Sequence, residues 1–521
     1  MMSEQTEKTE ILKKYFGHDS FRPGQDTLVD ALLSGRDVLG VMPTGAGKSL
    51  CYQVPAMVKP GVTLVVSPLI SLMKDQVSAL VQAGVPAAFL NSTLSPRQMD
   101  LAMERAREGR YRLIYVAPER LSAPSFQAFA QAAPIQLIAV DEAHCVSQWG
   151  QDFRPDYLKI ADFVEALPER PPVGAFTATA TQRVREDIVR LLRLRDPVSV
   201  TTGFDRENLF FEVLTPKNRF GALVRLLRRF ADRSGIVYCN ARKTVESVAQ
   251  KLCADGFSAV RYHAGLSEEE RRRAQEDFQF DRAQVMVATN AFGMGIDKSN
   301  VGFVIHYNMP RSIEAYYQEA GRAGRDGEEA DCVLLYSRQD IMAARWMMDH
   351  SEPNPDLSEE ERRSVRRGDL DRLNRMIRYC ETQSCLRAEL LSYFGQRAGK
   401  SCGFCANCIG HRYADAQNAL AAETKPVKKA PAPEECPPEM EDLLIRLKAR
   451  RLSMARDMNV PPYVIFDDKT LRGIAASAPT TREQLLQIRG MGEYKAARYG
   501  EDILSVVRDF LRIHPELQDR E

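Results

Sequence analysis

The sequence has no uninterrupted apolar stretch long enough to span a bilayer, and no apolar signal core follows its polar first residues, MMSEQTEKTE. These absences predict a cytoplasmic protein rather than a membrane or secreted one. Net charge is also nearly absent, because 71 basic and 70 acidic residues give a formal value of +1. Any binding to nucleic acid must therefore come from local basic clusters rather than from a global field.

Paired cysteines typical of a disulfide framework are not apparent, since most of the 11 cysteines are scattered singly. One group differs and consists of Cys380, Cys385, Cys402, Cys405 and Cys408. In a reducing compartment such a group indicates a metal site rather than disulfides. The last three form C-x-x-C-x-x-C, and tetrahedral zinc needs one more ligand, for which Cys380 and Cys385 both compete. An iron–sulfur cluster is the rival interpretation.

The chain of 521 residues is too long for one ordinary core and predicts three or four domains. Apolar runs alternate with amphipathic segments in two successive stretches, which indicates an α/β class with two parallel-sheet lobes. A basic helical module, a linker rich in Ala, Pro, Lys and Glu, and a small all-α module follow. The expected division is 1–202 for lobe 1, 203–338 for lobe 2, 339–411 for the helical cysteine module, 412–437 for the linker and 438–521 for the C-terminal module.

The stretch MPTGAGKS, called the phosphate loop below, lies between an apolar run and a probable helix. Its glycines let backbone amides approach phosphate oxygens, its lysine can reach the β and γ phosphates, and its serine hydroxyl can bind Mg²⁺. The predicted nucleotide contacts are Thr44, Gly45, Gly47, Lys48 and Ser49.

The run LIAVDEAH places Asp141 and Glu142 at the carboxyl end of a probable strand. Functional groups collect at such strand ends in parallel sheets. Asp141 is expected to hold Mg²⁺, and Glu142 to position and deprotonate the attacking water. Read alone, this stretch could equally be a solvated acidic turn, but its pairing with the phosphate loop favours a catalytic site.

Lobe 2 offers positive charge for phosphoryl transfer in QEAGRAGRDG. Arg322 and Arg325 lie three residues apart, so both can face one cleft if the stretch is helical. One of them is expected to act as an arginine finger. A site shared between two lobes predicts that hydrolysis opens and closes the cleft, as in a motor.

Seven short stretches follow one another along the chain: FRPGQ, MPTGAGKS, SPLISLMKDQ, DEAHCVSQWGQDFRP, TATAT, ATNAFGMGIDK and YYQEAGRAGRDG. In this order they resemble the motifs of superfamily 2 helicases, and specifically of the RecQ family. The resemblance covers roughly residues 10–410 and resumes near residue 440. It implies RecA-like lobes and a DNA helicase dependent on ATP and Mg²⁺ that moves 3′ to 5′ on single-stranded DNA.

The resemblance also implies partners, a place of action and further site residues. The implied partners are single-stranded and partially duplex DNA, together with single-strand-binding and other repair proteins. The implied role is recombination and repair of DNA in the nucleoid. Arg22 is implied to pack on adenine and Gln25 to bond its edge. Gly295 and Asp297 are implied to lie at the nucleotide cleft.

Three further assignments come from the resemblance. Arg325 corresponds to the arginine finger, and Arg322 to a second phosphate contact. Cys385 corresponds to the fourth zinc ligand beside Cys402, Cys405 and Cys408, with the metal stabilising a helical hairpin.

The aromatic segment CVSQWGQDFRP begins only three residues after Glu142. It resembles the loop that in RecQ-like helicases senses single-stranded DNA and signals to the ATP site. Trp149 and Phe153 offer π faces for bases, and Arg154 offers a phosphate or stacking partner. The alternative is that both aromatics belong to the core.

The C-terminal module resembles the HRDC domain, a small helical nucleic-acid-binding bundle. Tyr463 is the principal expected DNA contact, with Arg472, Arg489 and Lys495 completing an aromatic and basic face. The alternative is a protein-interaction bundle.

The interval before the C-terminal module is too short for the winged helix that typical RecQ proteins carry there, often as the strand-separating wedge. The missing wedge motivates a second hypothesis, an ATP-gated translocase that displaces or remodels without efficient strand separation. An RNA helicase is disfavoured by the aromatic segment and the cysteines.

Overall fold

The structure, a computed structural model, describes residues 4–43, 45–68, 70–91, 94–149, 153–292, 298–350, 359–417, 440–458, 460–514 and 517. The expected α/β class is confirmed. Two separate parallel sheets are followed by helices only, and no helix among the described residues is long and apolar enough to cross a membrane.

Lobe 1 contains a seven-stranded sheet in the order β3-β4-β2-β5-β6-β1-β7, with every pairing parallel. Strands β1, β2, β4 and β6 are wholly buried, as is β5 from Leu137 onward, because helices cover both faces of the sheet, which explains their continuous apolar runs. The strands are β1 (Val38–Val41), β2 (Val62–Val66), β3 (Ala87–Leu90), β4 (Leu113–Val116), β5 (Ile135–Val140), β6 (Val173–Thr177) and β7 (Val198–Thr201). The helices are α1 (Glu4–Phe16), α2 (Gln25–Leu33), α3 (Leu50–Val58), α4 (Ile70–Gln82), α5 (Pro96–Arg107), α6 (Pro124–Ala132), α7 (Lys159–Glu165) and α8 (Gln182–Leu191).

Lobe 2 contains a six-stranded parallel sheet in the order β10-β11-β9-β12-β13-β8. The strands are β8 (Leu209–Leu214), β9 (Ser234–Tyr238), β10 (Ala259–Tyr262), β11 (Val285–Ala288), β12 (Val301–His306) and β13 (Ala330–Leu335). The helices are α9 (Arg219–Arg229), α10 (Arg242–Ala254), α11 (Glu268–Gln279) and α12 (Ile313–Ala320).

The cysteine module packs on lobe 2, where Cys405 forms a parallel bridge with Phe211 of the edge strand β8. The C-terminal module has its own apolar core, which includes Leu447, Ile474 and Val507. The helices of the cysteine module are α13 (Arg338–Asp349), α14 (Glu359–Glu381), α15 (Leu386–Tyr393), α16 (Ala406–Ile409) and α17 (Ala414–Gln417). Those of the C-terminal module are α18 (Glu441–Asp457), α19 (Pro462–Ile465), α20 (Asp468–Ser477), α21 (Arg482–Leu486) and α22 (Glu493–Ile513).

The structure differs from the predicted linker at its first residues. Tyr413 is 5% exposed and Ala416 is 1% exposed, and both pack into the core of lobe 2. The Tyr413 hydroxyl donates a hydrogen bond to Asp331 at 2.6 Å. These contacts are long-range, so composition does not predict them, and the expected domain division itself stays a prediction. Residues 418–439 of the predicted linker lie outside the described residues.

Candidate active site

The phosphate loop connects the carboxyl end of β1 to the start of α3. Gly45 (φ 81°) and Gly47 (φ 79°) both have the left-handed backbone that residues with a side chain rarely adopt. Lys48 Nζ donates a hydrogen bond to the Met42 carbonyl oxygen at 3.2 Å, which holds the ammonium group at the loop. Thr44, another predicted contact, lies outside the described residues.

Arg22 and Gln25, which the resemblance assigned to adenine, are tied to the phosphate loop. Gln25 is 1% exposed, and its Nε2 donates to the carbonyl oxygens of Ala46 at 2.9 Å and Gly47 at 3.0 Å. Its Oε1 accepts from the backbone N of Arg22 at 2.8 Å, and the Arg22 guanidinium donates to the Gly45 carbonyl at 2.5 Å. These bonds join the two side chains to the loop, while their contact with adenine stays a prediction.

The sheet order of lobe 1 brings the two predicted carboxylates to the edge that carries the phosphate loop. Strands β5, β6 and β1 are neighbours and parallel, so their carboxyl ends meet at one edge. Asp141 follows β5 directly and is 8% exposed. Its Oδ1 accepts a hydrogen bond from the backbone N of Glu142 at 3.0 Å, so the two residues form one compact turn.

Glu142 is held in a strained conformation that aims its carboxylate. Its backbone lies in the left-handed region (φ 47°, ψ 46°), which costs a non-glycine residue about 1 kcal/mol. The carboxylate lies 3.3 Å from His144 Nδ1, and that nitrogen lies 2.8 Å from the Thr177 hydroxyl at the end of β6. The predicted base is therefore connected to the neighbouring strand through one imidazole.

Arg322 and Arg325 lie in the turn that follows α12, residues 321–327, called the arginine loop below. The stretch is a series of turns rather than the helix that would place residues three apart on one face, but both side chains still line one cavity. The loop is held by Arg206, whose Nη2 donates to the carbonyl oxygens of Ala323 at 3.0 Å and Gly324 at 2.7 Å. The sequence analysis missed Arg206. Its only signal was an arginine three residues before the first strand of lobe 2.

A cavity of about 430 Å³ opens where the two lobes face each other. It combines cationic groups with carboxylates, a composition suited to a polyphosphate carrying a divalent cation. The Ser49 hydroxyl and the Asp141 carboxylate supply the oxygen ligands that Mg²⁺ prefers. Its lining includes the predicted groups Gly45, Gly47, Lys48, Ser49, Asp141, Glu142, Arg322 and Arg325. Gly295 and Asp297, also expected there, lie outside the described residues.

The aromatic segment is only partly described, since residues 150–152 lie outside the described part. Trp149 and Phe153 are half-buried rather than core residues. The Arg183 guanidinium carbon lies 3.4 Å from the centroid of the Trp149 ring. Arg154 Nη1 donates to the Pro68 carbonyl at 2.8 Å, so this guanidinium is hydrogen-bonded to the backbone just after β2.

Trp149 lines a second cavity, of about 350 Å³, on the opposite side of the arginine loop. Asn240, Asn308 and Arg372 also line it, so its walls are polar and offer amide and guanidinium donors beside three carboxylates. Gln318 of α12 and Arg322, the second residue after this helix, line both cavities, so this part of lobe 2 separates them.

The structure groups Cys385, rather than Cys380, with the three cysteines of the C-x-x-C-x-x-C stretch. The sulfurs of Cys385, Cys402, Cys405 and Cys408 all lie within 4.8 Å of one another, with three separations of 3.5, 3.8 and 3.9 Å. Four thiolates bound to one tetrahedral zinc at about 2.3 Å are about 3.8 Å apart, so these residues fit the ion. Cys380 lies outside this group on α14, where burial raises the pKa of its thiol well above its ordinary value.

Tyr463 lies on the same cavity as Lys48 rather than on an open face of the C-terminal module. Its ring centroid lies 5.9 Å from Lys298 Nζ of lobe 2. The predicted contact of Tyr463 with DNA stays a prediction, but in this arrangement the side chain faces the two lobes. Nothing in the local sequence indicated this position, because it depends on packing between domains.

Four family models match the chain in sequence order. They are the DEAD/DEAH box helicase (residues 22–188), the helicase conserved C-terminal domain (218–327), the RecQ zinc-binding model (338–409) and the HRDC domain (440–507).

Two curated relatives match over nearly their full length. The "ATP-dependent DNA helicase RecQ" of Bacillus subtilis (strain 168) is 36% identical, over 96% of this chain and 98% of that protein. The protein of the same name from Haemophilus influenzae is 34% identical, over 98% of this chain and 97% of that protein. The alignment to the Bacillus protein runs over 591 positions, 70 more than the 521 residues of this chain. That relative therefore contains residues with no counterpart here.

Solved structures support the fold of the two lobes. Mycobacterium smegmatis helicase Lhr bound to ssDNA and AMP-PNP superposes with a TM-score of 0.52 at 19% identity, over 70% of this chain and 56% of that one. Saccharomyces cerevisiae Dbp5 bound to RNA and ADP BeF3 gives a TM-score of 0.53 at 17% identity, over 71% of this chain and 97% of that one.

The cysteine geometry makes a prediction with a matched control within the same module. Purified full-length protein is expected to contain about one zinc per chain. Cys385→Ala should lose most of this metal, because three thiolates leave the tetrahedral site open. Cys380→Ala should retain it. Metal content by mass spectrometry measures both, and zinc retained by Cys385→Ala but lost from Cys380→Ala would reverse the ligand assignment.

Proposed function

The chain belongs to the RecQ family of ATP-dependent DNA helicases, and from this membership we propose that it moves 3′ to 5′ along single-stranded DNA and opens duplex DNA in recombination and repair. The observation that carries the proposal is the cavity between the lobes. Lobe 1 contributes Lys48, Asp141 and Glu142 to it, and lobe 2 contributes Arg322 and Arg325. A change in the angle between the lobes would therefore assemble or separate the groups needed for hydrolysis.

We propose the following roles in ATP hydrolysis. Lys48 and the amides of the phosphate loop bind the β and γ phosphates, and Ser49 and Asp141 hold Mg²⁺, which bridges phosphate oxygens and offsets their charge. Glu142 orients the attacking water and accepts its proton. Arg325 stabilises the negative charge that develops on the γ phosphate, with Arg322 as a second contact. The support is their common position around one cavity.

The remaining nucleotide contacts follow the family resemblance. Arg22 and Gln25 are proposed to recognise adenine, and their bonds to the phosphate loop would report the presence of the base to the phosphate site. Thr44, Gly295 and Asp297 are proposed to complete the site on the same grounds. The domain division at residues 202, 338, 411 and 437 is proposed as the sequence suggested it, with α17 at the start of the proposed linker.

DNA is proposed to contact Trp149, Phe153, Arg154 and Tyr463. A base stacked on Trp149 would displace or reinforce the contact between this ring and Arg183. Trp149 is only seven residues after Glu142 in the chain, so such a change can reach the proposed catalytic carboxylate. Arg322 lies between the two cavities, which gives a second route for coupling. Single-strand-binding and repair proteins acting on nucleoid DNA are the proposed partners.

A second candidate function is an ATP-gated translocase that displaces or remodels without efficient strand separation. The alignment with the Bacillus relative favours this function. It is 70 positions longer than this chain, so the relative contains residues that have no counterpart here. Only 30 residues separate the zinc-binding match, which ends at residue 409, from the HRDC match, which begins at 440. That interval is too short for an independent wedge domain.

Tailed duplexes test the proposal directly. The protein with ATP and Mg²⁺ is expected to separate a duplex with a 3′ single-stranded tail much faster than the same duplex with a 5′ tail or blunt ends. Strand separation is measured by the fluorescence of a labelled strand. Preference for the 5′ tail would overturn the direction. Strong ATPase activity without separation of any substrate would favour the translocase.

Hydrolysis should depend on two residues from different parts of the cavity. Lys48→Ala and Glu142→Gln are each expected to lower the DNA-stimulated ATPase rate at least about hundredfold, because phosphate binding or the general base is lost. Binding of single-stranded DNA, measured by anisotropy, should persist. Glu119→Gln, an exposed carboxylate change elsewhere in lobe 1, should retain the wild-type rate. Near-normal hydrolysis by both cavity variants would refute these roles.

The chain contains two tryptophans, which provide a matched pair for the DNA contact. Trp149→Ala is expected to reduce the ratio of ATPase rates with and without single-stranded DNA by about tenfold, since one base-stacking contact is worth 1–3 kcal/mol. Trp346→Ala on α13, where the residue is 62% exposed, should keep the wild-type ratio. An unchanged ratio in Trp149→Ala would return this ring to a packing role.

A further inference from the structure

The C-terminal module packs against both lobes at the nucleotide cleft. On lobe 1, α22 contacts α1 and α19 contacts α4. The Gly490 amide donates to the Gly17 carbonyl at 3.1 Å, and the Tyr499 hydroxyl donates to Gln82 Oε1 at 2.5 Å. On lobe 2, Arg472 forms an ion pair with Glu328, which directly follows the arginine loop. The module therefore bridges the cleft.

Glycines make this interface unusually close. A Cβ on Gly17 would lie 2.9 Å from the Gly490 carbonyl carbon, and a Cβ on Gly492 would lie 2.8 Å from the Lys14 carbonyl oxygen. Such distances are not tolerated between these atoms, so a side chain at either position would force the backbones apart. Close backbone contact at successive positions, without intervening side chains, indicates a specific docked position rather than a chance encounter.

Basic side chains of the module line the cavities of the nucleotide site. Lys495 shares the cavity of about 430 Å³ with Lys48 and Arg325. Arg489 lines an adjacent cavity of about 620 Å³, together with Arg22 and the same Arg325. Lys495 therefore lies on the side of the site where the phosphates are proposed to bind. Arg489 lies on the side where adenine is proposed to bind.

Charge in the cavity of about 620 Å³ favours an anionic ligand, because five cationic side chains and three carboxylates line it. In the cavity of about 430 Å³ the cationic and acidic side chains are equal in number. Burial, followed by the neighbouring Arg22 and Arg489, lowers the pKa of His18 to about 4, so this imidazole is neutral at neutral pH. Burial also lowers the pKa of Lys495, which Asp467 partly opposes. Like charges crowded at a half-buried site repel one another unless a negative group lies between them.

We propose that the C-terminal module forms a third wall of the nucleotide site, with Lys495 contacting the phosphates of ATP and Arg489 contacting the nucleotide on its adenine side. This inference rests on the proposed ATP site and extends it to residues outside the two lobes. Because the module touches both lobes and the ligand, nucleotide binding stabilises its docked position, and docking strengthens nucleotide binding equally. The basic face predicted to bind single-stranded DNA is the face that docks here.

The test measures equilibrium binding of a fluorescent, non-hydrolysable ATP analogue with Mg²⁺ to the full-length chain, without DNA. Arg489→Ala and Lys495→Ala should each weaken binding about three- to tenfold, as expected for loss of one partly exposed charge-assisted contact. Gly492→Leu, which clashes with the Lys14 carbonyl, should weaken it similarly by undocking the module. Arg482→Ala, an exposed cation on α21 away from both cavities, is the matched control and should bind like wild type.

Two results would overturn the inference. One is binding within about twofold of wild type by the Arg489→Ala/Lys495→Ala double variant. The other is tighter binding by Gly492→Leu, which would mean that the docked module obstructs the site. Lys48→Ala, measured in parallel, separates this inference from the proposed site. If Lys48→Ala loses binding while the module variants do not, only the third wall fails, whereas normal binding by Lys48→Ala would remove the proposed site and the inference together.

Discussion

The phosphate loop of lobe 1 and the arginine loop of lobe 2 approach each other closely at Gly45, whose backbone is left-handed (φ 81°). A Cβ on Gly45 would lie 3.3 Å from Arg206 Nη1 and 3.6 Å from the Cα of Arg325. The two sheets share no hydrogen-bonded strand pair among the described residues, so this contact, rather than a continuous sheet, determines whether lysine, carboxylates and arginines share one site. Motion between the lobes changes these distances first, which is the geometric basis for coupling hydrolysis to movement.

The cysteine site is connected to this contact through two arginines. Arg387 lies two residues after Cys385 on α15, and its guanidinium donates to Asp205 at 2.5 Å and to the Arg206 carbonyl at 2.6 Å. The Arg206 guanidinium in turn donates hydrogen bonds to two backbone carbonyl groups of the arginine loop and so holds the loop in place. A zinc ion that stabilises the start of α15 therefore also stabilises the position of the arginine loop, although it lies outside the cleft.

Prediction from the sequence succeeded where strands were buried and motifs were contiguous. The apolar runs that end at Val41, Val140 and Thr177 are strands β1, β5 and β6, whose carboxyl ends carry the predicted groups. The sequence analysis did not identify β3, β7 or β8. These strands lie at the sheet edges or show mixed apolar and polar faces, so their pairing depends on neighbours that are distant in the chain.

The sequence by itself determined the local chemistry of this protein. Glycines at 45 and 47 make the phosphate loop possible, and consecutive carboxylates after a buried strand define where a metal-dependent reaction can occur, because these features need only a few adjacent residues. The tertiary structure alone decided that Arg206 braces the arginine loop. It also turned the basic face of the C-terminal module toward the cleft. Each of these depends on contacts between residues far apart in the chain, for which neither spacing nor periodicity gives a signal.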